Sequence, residues 1–122
     1  PTRDFNYIED TVRGFIDISN SEAAIGEVVN IGSNYEISIG DIANLIAEVM
    51  NVEIKIVTDT ERLRPEKSEV CRLFCENSKA KKLINWQPQY SGKDGLKEGL
   101  KKTIEWFTIP ENFQLYKTGY TL

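Results

Sequence analysis

Two side chains on one irregular stretch carry the chemistry that stands out in this sequence. In Leu63-Arg64-Pro65-Glu66-Lys67-Ser68-Glu69-Val70 an arginine and a carboxylate lie five residues apart on a segment, Thr60 to Phe74, with no clear period. A guanidinium holds its charge and can fork onto phosphate oxygens, and a carboxylate accepts hydrogen bonds from hydroxyls. The pair suits a ligand with phosphates at one end and a diol nearby. Other chemistry is excluded. The chain has no histidine, which removes Ser-His-Asp and Cys-His nucleophilic systems. Acid-base work would fall on Asp, Glu, Lys or Tyr. Cys71 and Cys75 are the only thiols, so thiols and imidazoles cannot supply the four ligands of a zinc site. They read as reduced thiols packed as small hydrophobes, in keeping with a cytoplasmic protein.

A loop of this kind needs a scaffold to hold it. Val12, Phe15 and Ile16 give helical spacing that ends near Ser19, with acids at Glu9 and Asp10 in the first turn. Val28-Val29-Asn30-Ile31 is a continuous β-rich run, the pattern of a strand buried on both faces. Ser38-Ile39-Gly40-Asp41 resembles a capping box. It opens a helix with Ile39, Ile42, Leu45, Ile46, Val49 and Met50 on one face and a stop at Asn51. Glu53 to Thr58 alternates and predicts a strand. Asn77 is placed to cap a short helix ending at Asn85. Ser91-Gly92-Lys93-Asp94 is a second capping-box match, opening the longest helix through Leu96, Leu100, Ile104 and Phe107 to a stop at Pro110. The expected fold class is α/β, a mixed α+β lobe of about four helices and two short strands. Residues 1–107 form the lobe and 108–122 a tail. Two strands alone make a weak sheet, better explained as one edge of a larger structure.

With 122 residues the chain is one domain on length, and 40% hydrophobic with 28% charged residues is an ordinary globular composition. A net charge of -4 argues against a nucleic-acid partner, and no apolar run approaches the ~20 residues of a membrane span. The chain opens inside Pro1-Thr2-Arg3-Asp4-Phe5 without a methionine and holds no complete active site. The expectation is the ligand-gripping part of a larger enzyme.

Five stretches in order carry a family resemblance. They are Arg3-Asp4-Phe5-x-Tyr7-Ile8-Glu9-Asp10; Asn30-Ile31-Gly32-Ser33; Ser38-Ile39-Gly40-Asp41-Ile42; Arg64-Pro65 through Glu69-Val70 to Ser78-Lys79-Ala80; and Asn85-Trp86-x-Pro88 with Gly95-Leu96 and Ile104-Glu105-Trp106. Over Thr2 to about Phe107 the chain resembles the C-terminal portion of extended short-chain dehydrogenase/reductases acting on nucleotide sugars. It looks most like bacterial 4,6-dehydratases for nucleotide-linked N-acetylhexosamines, of the legionaminic-acid-pathway type. The resemblance implies a preceding Rossmann domain with a Gly-rich turn, a Tyr-x-x-x-Lys pair and bound NAD or NADP. It also implies a parent homodimer formed through that domain. None of the five tyrosines here has Lys four positions later, and Gly92, Gly95 and Gly99 have the wrong spacing for the fingerprint. No catalytic, cofactor-binding or metal-binding residue is therefore carried over. What the resemblance assigns is substrate grip. Arg3 and Arg64 match arginines that face the diphosphate, Glu69 matches the acid that accepts from ribose hydroxyls, and Asn30 matches an amide near phosphate or ribose. Ser68 stands where many relatives carry glycine.

The implied role is to hold the nucleotide diphosphate of a UDP-, GDP- or dTDP-linked sugar for an NAD(P)-dependent 4,6-dehydratase or epimerase, with the fragment alone inactive. Blander readings exist for each residue. Arg3 and Asp4 would be a surface ion pair, Asn30 would satisfy backbone groups, and Arg64 and Glu69 would be solvated loop charges. Trp86 reads as a core plug. The rival class is a free-standing, non-catalytic module that binds a nucleotide, or a protein through Phe113, Tyr116 and Tyr120.

Overall fold

The computed structural model describes residues 1–57 and 70–116. They form β1 (Thr2–Asp4), α1 (Ile8–Ser19), a 3-10 turn (Glu22–Ala24), β2 (Glu36–Ser38), α2 (Ile39–Met50), α3 (Ser78–Ile84), α4 (Gly92–Thr108) and α5 (Pro110–Gln114). The fold class is the expected mixed α/β. β1 is the central line of the sheet. It pairs antiparallel with β2, Thr2 opposite Ser38 and Asp4 opposite Glu36. On its other edge the chain returns in parallel at Arg72. There the Thr2 N–H donates to Cys71 O at 2.9 Å and the Leu73 N–H donates to Thr2 O at 3.1 Å.

The core lies between the sheet, α2 and α4. Ile37, Ile42, Leu45 and Leu96 are buried together, with Phe5, Tyr35, Ile46 and Leu100 against them. Helix ends follow the local chemistry. The Ser38 hydroxyl accepts the Asp41 N–H at 3.0 Å, and Asn51 and Asn85 close α2 and α3 in the left-handed region, which asparagine tolerates.

A second centre is polar. Asp10 on α1 is 1% exposed. Its carboxylate accepts the N–H groups of Gln89 and Tyr90 at 2.8 and 2.9 Å and pairs with Arg13 at 2.7 Å. Arg13 in turn donates to Gln87 O. Trp86 is buried as expected of a core plug, its indole N–H donating to Asp10 O at 3.3 Å. One carboxylate thus binds the turn before α4 onto α1.

Several sequence expectations fail, each for a physical reason. Residues 28–31 and 53–57 form no strand, and Thr58, the end of the second predicted run, lies outside the described residues. Both carry strand patterns, but no described segment pairs with them, and a strand needs a ladder partner. The two strands present are three residues each, too short to show a period. α1 has its predicted spacing, yet its apolar stripe faces outward, with Ile8, Val12, Phe15 and Ile16 all about half exposed or more. Asn77 does not cap α3. Its amide donates to Gly32 O, and the Glu76 carboxylate takes the Ser78 N–H at 2.8 Å instead. The Ser91 hydroxyl donates to Ser33 O rather than capping α4. Pro110 follows α4 but also opens α5, where a proline's missing N–H costs nothing. Cys71 is exposed rather than packed, while Cys75 is half-buried.

Asp10→Ala should lower unfolding stability by about 2–5 kcal/mol, because the Gln89 and Tyr90 N–H groups and Arg13 lose their buried acceptor. Urea denaturation checks this. An unchanged midpoint would mean that the carboxylate does not hold the turn.

Candidate functional site

Arg3 sits on the central strand with its guanidinium turned to the edge where the chain returns. Its Nη1 donates to Thr2 O at 2.7 Å and to Val70 O at 2.8 Å. Val70 directly follows Glu69, so the backbone that leaves the Arg64–Glu69 stretch is bonded to the Arg3 side chain. Arg64 and Glu69 themselves lie outside the described residues. Asn30 is exposed on an irregular segment, not at a strand end as its run of neighbours suggested.

The segment after Asn30 is bound tightly to β1. Asp4 Oδ1 accepts the Ser33 N–H at 2.9 Å and the Ser33 hydroxyl at 2.6 Å. Asp4 Oδ2 accepts the Cys75 N–H at 3.2 Å. Ser33 is 2% exposed. The Asp4 carboxylate is thus bonded to Ser33 and Cys75, contacts the surface ion-pair reading did not foresee. Gly32 passes so close to Cys75 that a Cβ there would lie 2.3 Å from the Cys75 Cβ, an impossible approach for any other residue. Burial, and then the Asp4 and Glu76 charges, push the Cys75 thiol above its ordinary pKa. That makes it a poor nucleophile and a packing residue.

Beside this junction Glu36 takes a two-pronged ion pair from Arg72, closest contact 2.7 Å, and the Thr2 hydroxyl at 2.9 Å. The Arg72 bonds, then Thr2, hold the Glu36 carboxyl below the usual range. A groove of about 520 Å³ runs from Glu36 past Asp41 and Glu48 to Lys93. Glu36 and Glu48 there are paired with Arg72 and Lys97, which leaves Asp41 and Lys93 as its other charged groups.

The glycines that might suggest a dinucleotide cradle do not form one. Gly92, Gly95 and Gly99 lie on α4. A Cβ on Gly95 would meet the Tyr90 backbone at 2.5 Å, and one on Gly99 the Tyr7 ring at 3.2 Å. Gly95 and Gly99 therefore serve close packing. No described helix is long and apolar enough to cross a membrane.

A family model described as GDP-mannose 4,6 dehydratase matches residues 1–99. Among curated proteins the chain is 35% identical over 117 residues to a UDP-glucuronate 4-epimerase of Thermodesulfobacterium geofontis, covering 95% of this chain and 32% of that protein. It is 31% identical over 119 residues to the human dTDP-D-glucose 4,6-dehydratase, covering 95% of this chain and 32% of that one. Among solved structures, the epimerase Mth375 of Methanothermobacter thermautotrophicus matches with TM-score 0.78 and 35% identity over 93% of this chain and 31% of its own. The Bordetella bronchiseptica enzyme WbmF, solved in complex with NAD+ and UDP, matches with TM-score 0.67 and 30% identity over 94% of this chain and 31% of its own. The chain spans about a third of the length of the relatives it matches. It belongs to the GDP-mannose 4,6 dehydratase family, among relatives named as nucleotide-sugar epimerases and dehydratases.

Proposed function

We propose that this chain is the nucleotide-sugar-gripping lobe of an NAD(P)-dependent 4,6-dehydratase or epimerase, with dehydratases of nucleotide-linked N-acetylhexosamines of the legionaminic type as its nearest branch. The observation that carries the reading is the junction around β1. Arg3 is bonded to the backbone that leaves the Arg64–Glu69 stretch, and its neighbour Asp4 holds the segment that follows Asn30. Val70, which follows Glu69, and Ser33, three residues after Asn30, are thereby tied to the strand that carries Arg3. That a relative was solved with UDP supports a nucleotide as the ligand.

In this reading Arg3 and Arg64 face the diphosphate, Glu69 accepts from the ribose, and Asn30 contributes its amide. Holding a remote nucleotide supplies binding energy that orients the distant sugar. NAD or NADP belongs to a preceding Rossmann domain, which also forms the homodimer and carries the catalytic groups. The protein acts in the cytoplasm.

The surface supports a missing neighbour. Ile8, Val12, Phe15 and Ile16 are 62%, 48%, 71% and 53% exposed and recur at helical spacing on α1, a stripe of the kind that packs against a core. Ile25 and Val28 are 80% and 82% exposed on the segment that follows α1. Exposed apolar surface of this extent marks an interface. The proposed cover is the Rossmann domain, with residues 28–31 joining its sheet.

Four outcomes test this. The 122-residue chain alone should self-associate, and Val12→Lys with Phe15→Lys should return it to monomer in analytical ultracentrifugation; a monomeric wild type would remove the apolar-interface argument. The same chain should show no dehydration or epimerisation of nucleotide sugars, and measurable turnover would overturn the division of roles. In the whole natural polypeptide, Arg64→Ala should raise KM for the nucleotide sugar by about 10- to 100-fold, the worth of a charge-assisted phosphate contact, with kcat little changed. Glu69→Gln should weaken a ribonucleotide sugar more than its 2′-deoxy analogue, and equal losses would take Glu69 away from the 2′-hydroxyl.

A further inference from the structure

The residue that shapes the proposed grip is not one of its ligand-facing side chains. We propose that Asp4 is a positioning residue for nucleotide binding, one whose carboxylate fixes Arg3 relative to the Asn30 segment; this rests on the nucleotide-binding reading above. Asp4 is one peptide unit from Arg3, on the strand that pairs with both neighbours. Its two oxygens take three donors from two other parts of the chain. Those are the N–H and hydroxyl of Ser33, at 2.9 and 2.6 Å, and the N–H of Cys75, at 3.2 Å. Ser33 follows Asn30 by three residues, and Cys75 ends the segment that Arg3 grips at Val70.

The junction has little slack. Gly32 is in contact with Cys75 at a distance no Cβ would permit, and that imaginary Cβ would lie 3.6 Å from Asp4 Oδ2. The Ser33 carbonyl is itself bonded by the Ser91 hydroxyl at 2.6 Å, and the Gly32 carbonyl by the Asn77 amide at 2.9 Å. The Asn30 segment is thus pinned from α3 and α4 on one side and from β1 on the other. Among the described residues the Asp4 side-chain bonds tie it directly to the strand that carries Arg3, and only an acceptor-only group satisfies all three donors. An asparagine has one oxygen and one NH2, so whichever way it turns, a donor faces a donor. Loss of the carboxylate should let Arg3 and the Asn30 segment drift apart, and a geometry held for phosphate and ribose should lose affinity.

The test is calorimetric titration of the whole natural polypeptide with uridine, guanosine and thymidine diphosphate, on wild type, Asp4→Asn, Ser33→Ala and Glu36→Gln, at a temperature where each is folded by circular dichroism. Whichever diphosphate binds wild type is the probe. Asp4→Asn should raise Kd about tenfold or more with the binding stoichiometry intact, and Ser33→Ala should raise it by a smaller factor. Glu36→Gln removes an exposed ion pair on the same sheet and should change Kd by less than about twofold. A merely structural Asp4 would lower the stoichiometry, as protein misfolds, and leave Kd alone; that result, or an unchanged Kd, overturns the proposal. If Asp4→Asn does not fold, an unchanged Kd in Ser33→Ala overturns it. If wild type binds none of the three diphosphates, the nucleotide-binding reading itself fails and takes this inference with it, a result distinct from binding that ignores Asp4.

Discussion

The buried carboxylate of Asp10 is the interaction on which the rest of the lobe depends. α1 turns its apolar stripe away from the described core, so the hydrophobic effect does little to attach it. Polar bonds hold it instead. Asp10 takes the N–H groups of Gln89 and Tyr90 and the Arg13 guanidinium, and Trp86 donates to its carbonyl. At the rim Glu9 meets the Tyr90 hydroxyl at 2.7 Å, and Lys102 bonds both. Burying a charge costs free energy unless every lone pair is matched, and here the match is nearly complete. The result fixes the turn between α3 and α4, and hence the direction in which α4 sets out across α2.

A second carboxylate, Asp4, repeats the device six residues earlier in the same N-terminal segment. Between them Asp4 and Asp10 bind β1 and α1 to the segment at Ser33, to Cys75 and to the approach to α4. Acceptor-only side chains suit this work because irregular segments leave N–H groups without ladder partners, and buried N–H groups must be paired. The two sites differ in what lies beside them. Asp10 is surrounded by α1, Trp86 and Tyr90, which form the body of the lobe. Asp4 is flanked by Arg3 and by two segments that carry or border residues proposed to meet a ligand.

How much of this was legible follows from the range of each interaction. The Ser38 cap on Asp41, the left-handed asparagines that close α2 and α3, and the Leu96 face of α4 are local signals, and the sequence predicted each. Trp86 was identified as core from its type alone. The strands were not legible. The runs at 28–31 and from Glu53 to Thr58 have the stronger strand patterns, yet pairing decides the matter, and three-residue β1 and β2 pair because Asp4 and Ile37 are anchored elsewhere. Asn77 and Ser91 had the composition of helix caps, but better partners lay across the fold at Gly32 and Ser33. For the candidate site, Arg3 is singled out by its motif alone. The work of Asp4 was invisible, since its partners lie 29 and 71 residues away in sequence. A carboxylate next to an arginine invites pairing with that neighbour, and nothing local says otherwise.

Net charge misleads in the same way when an anionic ligand is considered. The chain carries -4 overall, which would repel a diphosphate if the charge were spread evenly. It is not. Glu9 is matched by Lys102, Glu27 by Lys79, Glu36 by Arg72 and Glu48 by Lys97, and each of these carboxyls is held below its ordinary pKa by its partner or by a neighbouring hydroxyl. Paired charges cancel within a few ångströms, and at physiological salt the remainder is screened over about 8 Å. Asp4, the carboxylate nearest Arg3 in sequence, has its oxygens covered by N–H and O–H dipoles that offset its charge locally. The field at the Arg3 edge is therefore set by the groups that stand there. The net charge of the chain therefore says little about the potential that an anion meets at any one edge.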